Sequence, residues 1–305
     1  MLQDLPFGRL ENEFKNIHPE AHDIVVCVRD NSILVKRDEN DALTLPTVAQ
    51  VGEWAYANSW EHWNEEAFQY VFRMQDENYF IWMGEAGEPV DTAFAYEQAR
   101  GLRQVASKHI CYGAMTAWHL FSWYRASRYC GRCGAMTVHD EKERMMRCPN
   151  CGNMIFPRIS PSVIVAVTDG DRLLLSKYAN RAYTRYALIA GFTEIGETGE
   201  QTVEREVMEE VGLKVKNIRY YKSQPWGVDG NLLLGYYCDL DGSDQIRLDQ
   251  DELAMADWFD RNDLPAKDDG ISLTREMIRV FGEGTTARCF KPGVHDLPLF
   301  IHLNL

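Results

Sequence analysis

The chain has 305 residues, of which 45% are hydrophobic, so it is long enough for two or three domains with a sizeable core. Its formal charge of −14 argues against broad nonspecific affinity for nucleic acid or acidic membranes, while remaining compatible with a local basic groove. No segment approaches the ~18 apolar residues of a membrane span, and the N-terminal residues lack the pattern of a signal peptide. We therefore expect a cytoplasmic enzyme.

The first 125 residues are predicted to form a separate N-terminal α+β domain. The short apolar runs Ile24–Val28 and Ile33–Val35 flank a polar turn and indicate one hairpin, and Phe68–Phe72 with Tyr79–Trp82 indicates another. The segment Thr92–Arg125 has no proline and is rich in Ala, Leu and aromatic residues. We expect one or two helices there, leading into the next domain.

Four of the eight cysteines form two C-x-x-C pairs, Cys130 with Cys133 and Cys148 with Cys151. This spacing is typical of a zinc ribbon, in which each C-x-x-C-G knuckle points two thiolates at one ion. Four thiolates leave no open position on the metal, so we predict one structural zinc in a ribbon over residues 126–157. A redox pair or unrelated thiols are the alternatives. The remaining cysteines lack such partners and are expected to be buried or idle: Cys27, Cys111, Cys238 and Cys289.

Residues 158–285 are predicted to form a further domain, followed by a C-terminal tail over 286–305. After a proline-marked linker, apolar segments predict strands at 162–168, 172–176, 186–190, 214–222, 231–240 and 255–260. Asp169-Gly170-Asp171 predicts a hairpin turn between the first two. A long helix after the third strand and a second at Arg275–Phe281 predict a mixed sheet between helices.

The long helix is the most informative element of the chain. Thr198 followed by Gln201 is a capping-box start, and Gly212 is a natural stop. Between them an apolar residue recurs every four positions, at Val203, Val207 and Val211, which predicts one face that packs on a core.

Three carboxylates, Glu206, Glu209 and Glu210, lie on the adjoining arc of this helix. Like charges one turn apart destabilise a helix by roughly 0.2 to 0.5 kcal/mol per pair. Such crowding at a core-facing edge predicts a hard cation that neutralises it, and magnesium or manganese prefer these oxygen ligands. A solvated acidic face is the alternative for a bare E-x-x-E-E helix.

The pattern extends beyond these carboxylates, because Gly191, Glu197 and the run Arg205–Leu213 match every fixed position of the Nudix box. The sequence therefore resembles the Nudix hydrolases, which cleave the pyrophosphate of nucleoside diphosphates linked to another group. The resemblance implies an α/β/α sandwich with a mixed sheet. It also implies a metal-ligand and base cluster made by Glu206, Glu209 and Glu210, oriented by Arg205, with the Ala190 carbonyl as a further metal ligand.

The segment Ser223-Gln-Pro-Trp226, together with the ribbon and the N-terminal domain, resembles the NADH pyrophosphatases, whose members also act on RNA carrying a 5′ NAD. This resemblance implies that Glu252 is a distant metal ligand. The implied substrate contacts are Phe156, Phe192, Gln224, Pro225, Trp226, Gly227, Val228, Asp229, Gly230, Asn231 and Thr274. Arg103 and Glu143 are the nearest matches to further contacts, although an exposed salt bridge explains either one equally well.

Three departures from the family pattern bear on the substrate pocket. The segment Gly227–Asn231 replaces P-F-P-x-S, which predicts a more flexible and more acidic loop. Phe156 stands where the family usually has tyrosine, and Thr274 replaces alanine. Trp226 and Phe192 remain as flat surfaces on which a nicotinamide or adenine ring can stack.

The NADH pyrophosphatase resemblance implies magnesium- or manganese-dependent hydrolysis of NAD(H) to NMN(H) and AMP, with NAD-capped RNA as a further substrate. It also implies a homodimer that shares its pocket. One alternative is a Nudix pyrophosphatase for ADP-ribose or another nucleoside diphosphate derivative. A more distant one is a catalytically inactive zinc-ribbon protein that binds nucleic acid, and the intact box argues against it.

Overall fold

The computed structural model describes residues 1–6, 8–40, 42–58, 67–84, 89, 91–180, 184–265 and 268–284. The predicted C-terminal tail and Cys289 lie outside these ranges. The chain divides into two compact units. The first contains Met1–Pro161 and Gln224–Leu233, and the second contains Ser162–Ser223 and the chain from Leu234 onward. Within the described ranges, no helix has the length and apolar character needed to span a membrane.

The first unit begins with two small sheets and ends in the cysteine-rich ribbon. Its strands are β1 (Ile24–Val26), β2 (Val28–Arg29), β3 (Ser32–Arg37), β4 (Leu43–Thr44), β5 (Phe68–Met74), β6 (Glu77–Trp82), β7 (Phe94–Gln98), β8 (Val138–His139), β9 (Met146–Arg147) and β10 (Met154–Ile155). Its helices are α1 (Val48–Asn58), α2 (Leu102–Val105) and α3 (Lys108–Ala126), with a 3-10 turn at Ala99–Gly101.

The first predicted hairpin is only half correct. β2 and β3 pair antiparallel as expected, but Ile24–Val26 is a separate strand that pairs parallel with β6. The run breaks at Cys27, whose carbonyl accepts a hydrogen bond from Leu34 while β1 joins the neighbouring sheet. The second hairpin, β5 with β6, is confirmed, and Gln75 and Asp76 form its turn with φ of +54° and +65°.

The predicted helical segment from Thr92 to Arg125 contains a strand that the composition did not reveal. β7 pairs antiparallel with β3 along five positions, from Ser32 with Gln98 to Lys36 with Phe94. The helices begin only after the 3-10 turn, and α3 buries Ala114, Met115 and Ala117. The helical prediction is therefore wrong for 94–98, where pairing with β3 overrides local helix propensity.

The second unit is built around a sheet in the order β14-β15-β11-β12-β16, with β13 also paired to β11. The elements are β11 (Ser160–Asp169), β12 (Arg172–Tyr178), β13 (Ile189–Phe192), α4 (Gly199–Val211), β14 (Val215–Trp226), β15 (Asn231–Leu240), β16 (Leu253–Asp260) and α5 (Leu273–Gly282). The predicted turn at Gly170 is confirmed, because Asp169 pairs with Arg172.

The sheet is mixed, as predicted. β11 runs antiparallel to β12 and β13. Contacts between β11 and β15 advance in the same direction along both strands: Ser160 donates to the Gly230 carbonyl, and the Thr168 hydroxyl donates to the Cys238 carbonyl. Residue numbers that increase together along two paired strands show that β11 and β15 are parallel.

The two long helices of this unit pack on opposite faces of the sheet. Val163, Val165 and Val167 of β11 share one buried cluster with Cys238 of β15 and the valine face of α4. Tyr237, which points to the other face because side chains alternate along a strand, donates its hydroxyl to the Met277 carbonyl of α5 at 2.7 Å. The α/β/α sandwich is thereby confirmed.

Candidate active site and zinc centre

Helix α4 starts and stops as its sequence predicts. The Thr198 hydroxyl accepts a hydrogen bond from the Gln201 backbone at 3.2 Å, and the Gln201 side chain accepts one from the Thr198 backbone at 2.8 Å. Gly212 closes the helix with a left-handed φ of +66°. Val203, Val207 and Val211 are fully buried. The two helix ends and the buried valine face therefore fix which side chains of α4 face the sheet.

This orientation of α4 places the three carboxylates at different depths. Glu206 is 8% exposed and Glu210 is 2% exposed, whereas Glu209 lies on the surface. Gly191 of β13 lies directly against the Glu206 carboxylate, and a Cβ at this glycine would collide with it. The fixed glycine of the box thus leaves the space into which Glu206 projects.

Arg205 connects the carboxylates of the box through one guanidinium. Its Nε and Nη2 donate to the two oxygens of Glu197 at 2.6 and 3.0 Å. Its Nη1 donates to Glu206 at 2.8 Å and to Glu209 at 3.0 Å. Nη2 also donates to the Phe192 carbonyl at 2.8 Å, which ties the helix to the end of β13. Sequence reasoning assigned the orienting role to Arg205 but missed Glu197 as its bidentate partner.

These contacts shift the ionisation of two glutamates in opposite directions. Hydrogen bonds from Arg205, the Glu194 backbone and Thr202 lower the pKa of Glu197 to about 2. Burial raises the pKa of Glu206, and the charges of Glu209 and Glu252 act in the same direction against its bonds to Arg205. The raised pKa means that the surroundings of Glu206 disfavour its ionised form.

The chemistry of the donor set fits a hard divalent cation, since such ions prefer the carboxylate oxygens that Glu206, Glu209 and Glu210 supply. The charge of Glu252 contributes, as the smallest of the causes, to the raised pKa of Glu206. Among the described residues, these carboxylates are not drawn into a ligand-sized cluster as the cysteines are, because the Arg205 guanidinium lies between Glu206 and Glu209. Ala190, whose carbonyl is an implied ligand, lies on β13 opposite Ile164.

The ribbon builds its two knuckles from the same backbone pattern. Gly134 and Gly152 have left-handed φ values of +74° and +71°, and each donates its N–H to the carbonyl of the first cysteine of its knuckle. Cys130 and Cys148 then donate their own N–H groups to Ala135 and Asn153. Each knuckle is therefore closed by two backbone hydrogen bonds.

The knuckles bring the four sulfurs together, with all Sγ atoms within 4.8 Å of one another. The Sγ atoms of Cys130 and Cys151 are 3.6 Å apart, and those of Cys133 and Cys148 are 3.5 Å apart. Tetrahedral ligation at the usual zinc–sulfur distance gives sulfur separations of about 3.8 Å. A hydrogen bond from the Ala135 N–H, with further bonds from Asn150 and the neighbouring cysteines, lowers the pKa of Cys133 to about 6, which favours the thiolate that zinc requires. Against a hydrogen bond from the Asn153 N–H, burial and the neighbouring thiols raise the pKa of Cys151 to about 12, so in the absence of metal the negative charge is concentrated on part of the cluster.

The segment that follows Ser223 is ordered by contacts inside the first unit. Gln224 is fully buried and donates to Gln3 at 3.1 Å. The Trp226 indole donates to the Asp229 carboxylate at 3.0 Å, and that carboxylate also pairs with Arg100. The loss of the family's prolines predicts flexibility, but these partners hold the turn. The role of Arg100 was missed because 129 residues separate it from Asp229.

The other predicted substrate contacts lie in both units. In the first, Phe156 is 53% exposed at the end of the ribbon, Arg103 is half-buried and Glu143 is exposed. In the second, Phe192 is 55% exposed beside the box and Thr274 is half-buried in α5. Further members of the predicted set lie on or near the turn after Trp226: Pro225, Gly227, Val228, Gly230 and Asn231.

Comparison with known families agrees with these two centres. Residues 158–281 match the NUDIX domain, and residues 125–156 match the NADH pyrophosphatase zinc ribbon domain. The four-cysteine cluster lies inside the segment that matches the zinc ribbon domain. The fold and the box helix together define a Nudix hydrolase.

Several curated relatives extend the match. The NAD-capped RNA hydrolase NudC of Shigella flexneri is 38% identical over 189 residues, covering 62% of this chain and 68% of that protein. NudC of Pectobacterium atrosepticum is 32% identical over 243 residues, covering 80% of this chain and 81% of that protein. NudC of Escherichia coli K12 is 37% identical over 189 residues, with 62% and 68% covered. The chain belongs to the NudC family of Nudix hydrolases.

Proposed function

We propose that this chain hydrolyses the pyrophosphate bond of NAD(H), giving NMN(H) and AMP. The observation that carries the proposal is the acidic face of α4, with Glu206 seated against Gly191 and organised by Arg205, in a chain related to NAD-capped RNA hydrolases. The segment Ser223–Trp226 supports the assignment of a dinucleotide as the substrate.

In the proposed reaction, the residues that would hold the catalytic metal ions are Glu206, Glu209, Glu210, Glu252 and Ala190 through its carbonyl. Magnesium or manganese, if bound by these oxygens, would supply charge neutralisation of the pyrophosphate and a lowered pKa for a water molecule. Glu209 or Glu210 takes the proton of the water that attacks one phosphorus, while the anhydride bond breaks and the other nucleotide leaves. Arg205 orients the carboxylates of Glu206 and Glu209 by hydrogen bonds, and its two hydrogen bonds to Glu197 fix the position of the guanidinium.

A second substrate follows from the same chemistry. The relatives from Shigella flexneri and Pectobacterium atrosepticum are named as hydrolases of NAD-capped RNA, and an NAD cap presents the same pyrophosphate bond. We propose that the chain also hydrolyses this bond in NAD-capped RNA, which releases NMN and leaves a 5′ monophosphate on the RNA. We further propose that the enzyme acts in the cytoplasm as a homodimer, with the ribbon zinc in a structural role.

The decisive measurement is turnover of NADH, NAD and ADP-ribose side by side in magnesium, with the products separated and identified. The proposal expects NADH to yield reduced nicotinamide mononucleotide and AMP. A strong preference for ADP-ribose would instead assign the chain to the alternative Nudix activity, for which the changed loop at Gly227–Asn231 is the motivating feature. Absence of turnover with every substrate would favour the inactive, nucleic-acid-binding alternative.

A further inference from the structure

The turn after Trp226 is organised by one carboxylate. Asp229 accepts the Trp226 indole N–H on Oδ2 at 3.0 Å. The same oxygen accepts Nη1 of Arg100 at 3.4 Å, and Nη2 of Arg100 bonds to the other oxygen. Backbone hydrogen bonds from Asp229 to Trp226 at 3.3 Å and from Gly230 to Gly227 at 3.2 Å close the turn. Trp226 is therefore linked to Arg100 through a single side chain.

Arg100 is itself held by the N-terminal sheet. It lies in the 3-10 turn after β7, where Ala99 is buried and donates its N–H to the Asn31 carbonyl at 3.0 Å. Asn31 belongs to the turn between β2 and β3, and Gln98, the residue before Ala99, pairs with Ser32. The position of the guanidinium thus depends on the hairpin and on β7.

Helix α3 provides the second support for the turn. Gly227 lies against the Met115 carbonyl so closely that a Cβ there would collide with it. One helical turn later, His119 lies near Gly230, where an added Cβ would stand 3.2 Å from its Nε2. The same nitrogen bonds to the Arg158 carbonyl at 2.8 Å. Gly227, which stands where the family has a proline, and Gly230 allow the backbone to lie against this helix.

We propose that Arg100 and Asp229 are positioning residues that set substrate affinity by orienting the Trp226 ring. Neither needs to touch the substrate, since both act through the indole. This inference rests on the proposed function, because it takes Trp226 as the surface on which a ring of the dinucleotide stacks. It assigns to the N-terminal domain the task of shaping the recognition turn.

The test compares steady-state kinetics of Arg100→Ala, Asp229→Asn and the double variant with NADH in magnesium. Loss of a partly exposed ion pair of this kind is expected to raise KM by about fivefold while kcat stays within about twofold. The double variant is expected to match the single variants rather than multiply their effects, because both remove the same linkage. Trp226→Ala is expected to raise KM at least as much.

Arg37→Ala is the matched control, because Arg37 of β3 pairs with Glu97 of β7 at 3.0 Å in the same sheet, and this ion pair is also partly exposed. This variant should leave KM and kcat for NADH unchanged. Arg100→Lys, which keeps the charge, should recover part of the affinity lost in Arg100→Ala. If the ion pair only stabilised the fold, Arg100→Ala would instead lower Tm and kcat together. Wild-type KM values in Arg100→Ala and Asp229→Asn, or in Trp226→Ala, would overturn the inference. A wild-type enzyme without NADH turnover would instead overturn the proposed function.

Discussion

The guanidinium of Arg205 contacts three glutamates and a backbone carbonyl. Of the glutamates of this helix, Glu209 and Glu210 are the candidates for the catalytic base. We expect Glu209→Gln or Glu210→Gln to lower magnesium-dependent turnover by about 100-fold, on the scale of a lost acid–base group. The matched control is Glu204→Gln, an exposed position on the same helix that undergoes the same loss of charge. Its turnover should remain near that of the wild type. Wild-type turnover in both Glu209→Gln and Glu210→Gln would contradict the proposed active site.

The pair formed by Arg205 and Glu197 predicts a dependence of stability on pH. The pKa of Glu197 in the folded chain is about 2, below its ordinary value of 4.5, so the pair stabilises the fold fully above the ordinary value. This contribution is lost as the pH falls from about 4.5 towards about 2. Arg205→Ala should therefore lower Tm more at about pH 7 than at about pH 2 when both proteins are unfolded in chelator. A constant difference in Tm would show that the pair does not stabilise the fold.

The approach of β13 to α4 depends on Gly191, because an added Cβ meets the Glu206 carboxylate. Gly191→Ala should cost about 1 to 3 kcal/mol of unfolding free energy, as overpacking does, and should lower turnover by displacing Glu206. Chemical denaturation and NADH assays measure the two effects. Gly101→Ala is the control, since its Cβ would make only an ordinary contact of 3.9 Å with Gln98. Equal behaviour of the two variants would refute the packing argument.

The ribbon knuckles predict a metal-dependent element. Cys148→Ser should reduce bound zinc well below one ion per chain and lower Tm, because a structural zinc supplies folding free energy. Cys111→Ser is the matched control: Cys111 is equally buried in α3, so its replacement costs packing but should leave the zinc in place. Metal analysis by mass spectrometry separates the two cases. Full zinc content in Cys148→Ser would contradict the four-cysteine site.

The elements that sequence predicts well are those with local signals. Helix α4 carries its own cap, stop and valine repeat, and the hairpin at Gly170 carries its own turn. The errors fall where partners are distant in the chain. β1 leaves its expected hairpin to pair with β6, and Phe94–Gln98 becomes a strand because β3 is available beside it. No local pattern in either segment encodes these pairings.

At the scale of the whole molecule, the proposed homodimer predicts a solution mass of about 70 kDa, twice the 35.1 kDa of the chain. We propose that the exposed apolar side chains of the ribbon contribute to this interface, since Val138 and Met154 flank Arg147 in register and Met136 and Phe156 are also exposed. Met154→Asp should shift the mass measured by light scattering towards the monomer. Ile17→Asp, at another exposed apolar position, should not. A wild-type protein at 35.1 kDa would refute the homodimer.

The candidate site, like the fold, has parts that the sequence predicts and parts that it does not. The box and the cysteine knuckles are short patterns with fixed spacing, so the sequence alone identifies their residues. The contact between Arg100 and Asp229 spans 129 residues and leaves no such pattern, because an exposed arginine and an exposed aspartate are ordinary surface residues until the fold joins them.

The second unit is discontinuous in sequence, since Gln224–Leu233 clusters with the first. A fragment that begins at residue 158 would contain the whole matched NUDIX segment and every glutamate of the box. It would nevertheless lack Gln3, Arg100, Met115 and His119, which hold the turn after Trp226. Dissection of this enzyme into its catalytic segment should therefore separate bond cleavage from molecular recognition, leaving a hydrolase that cuts with little discrimination among its substrates.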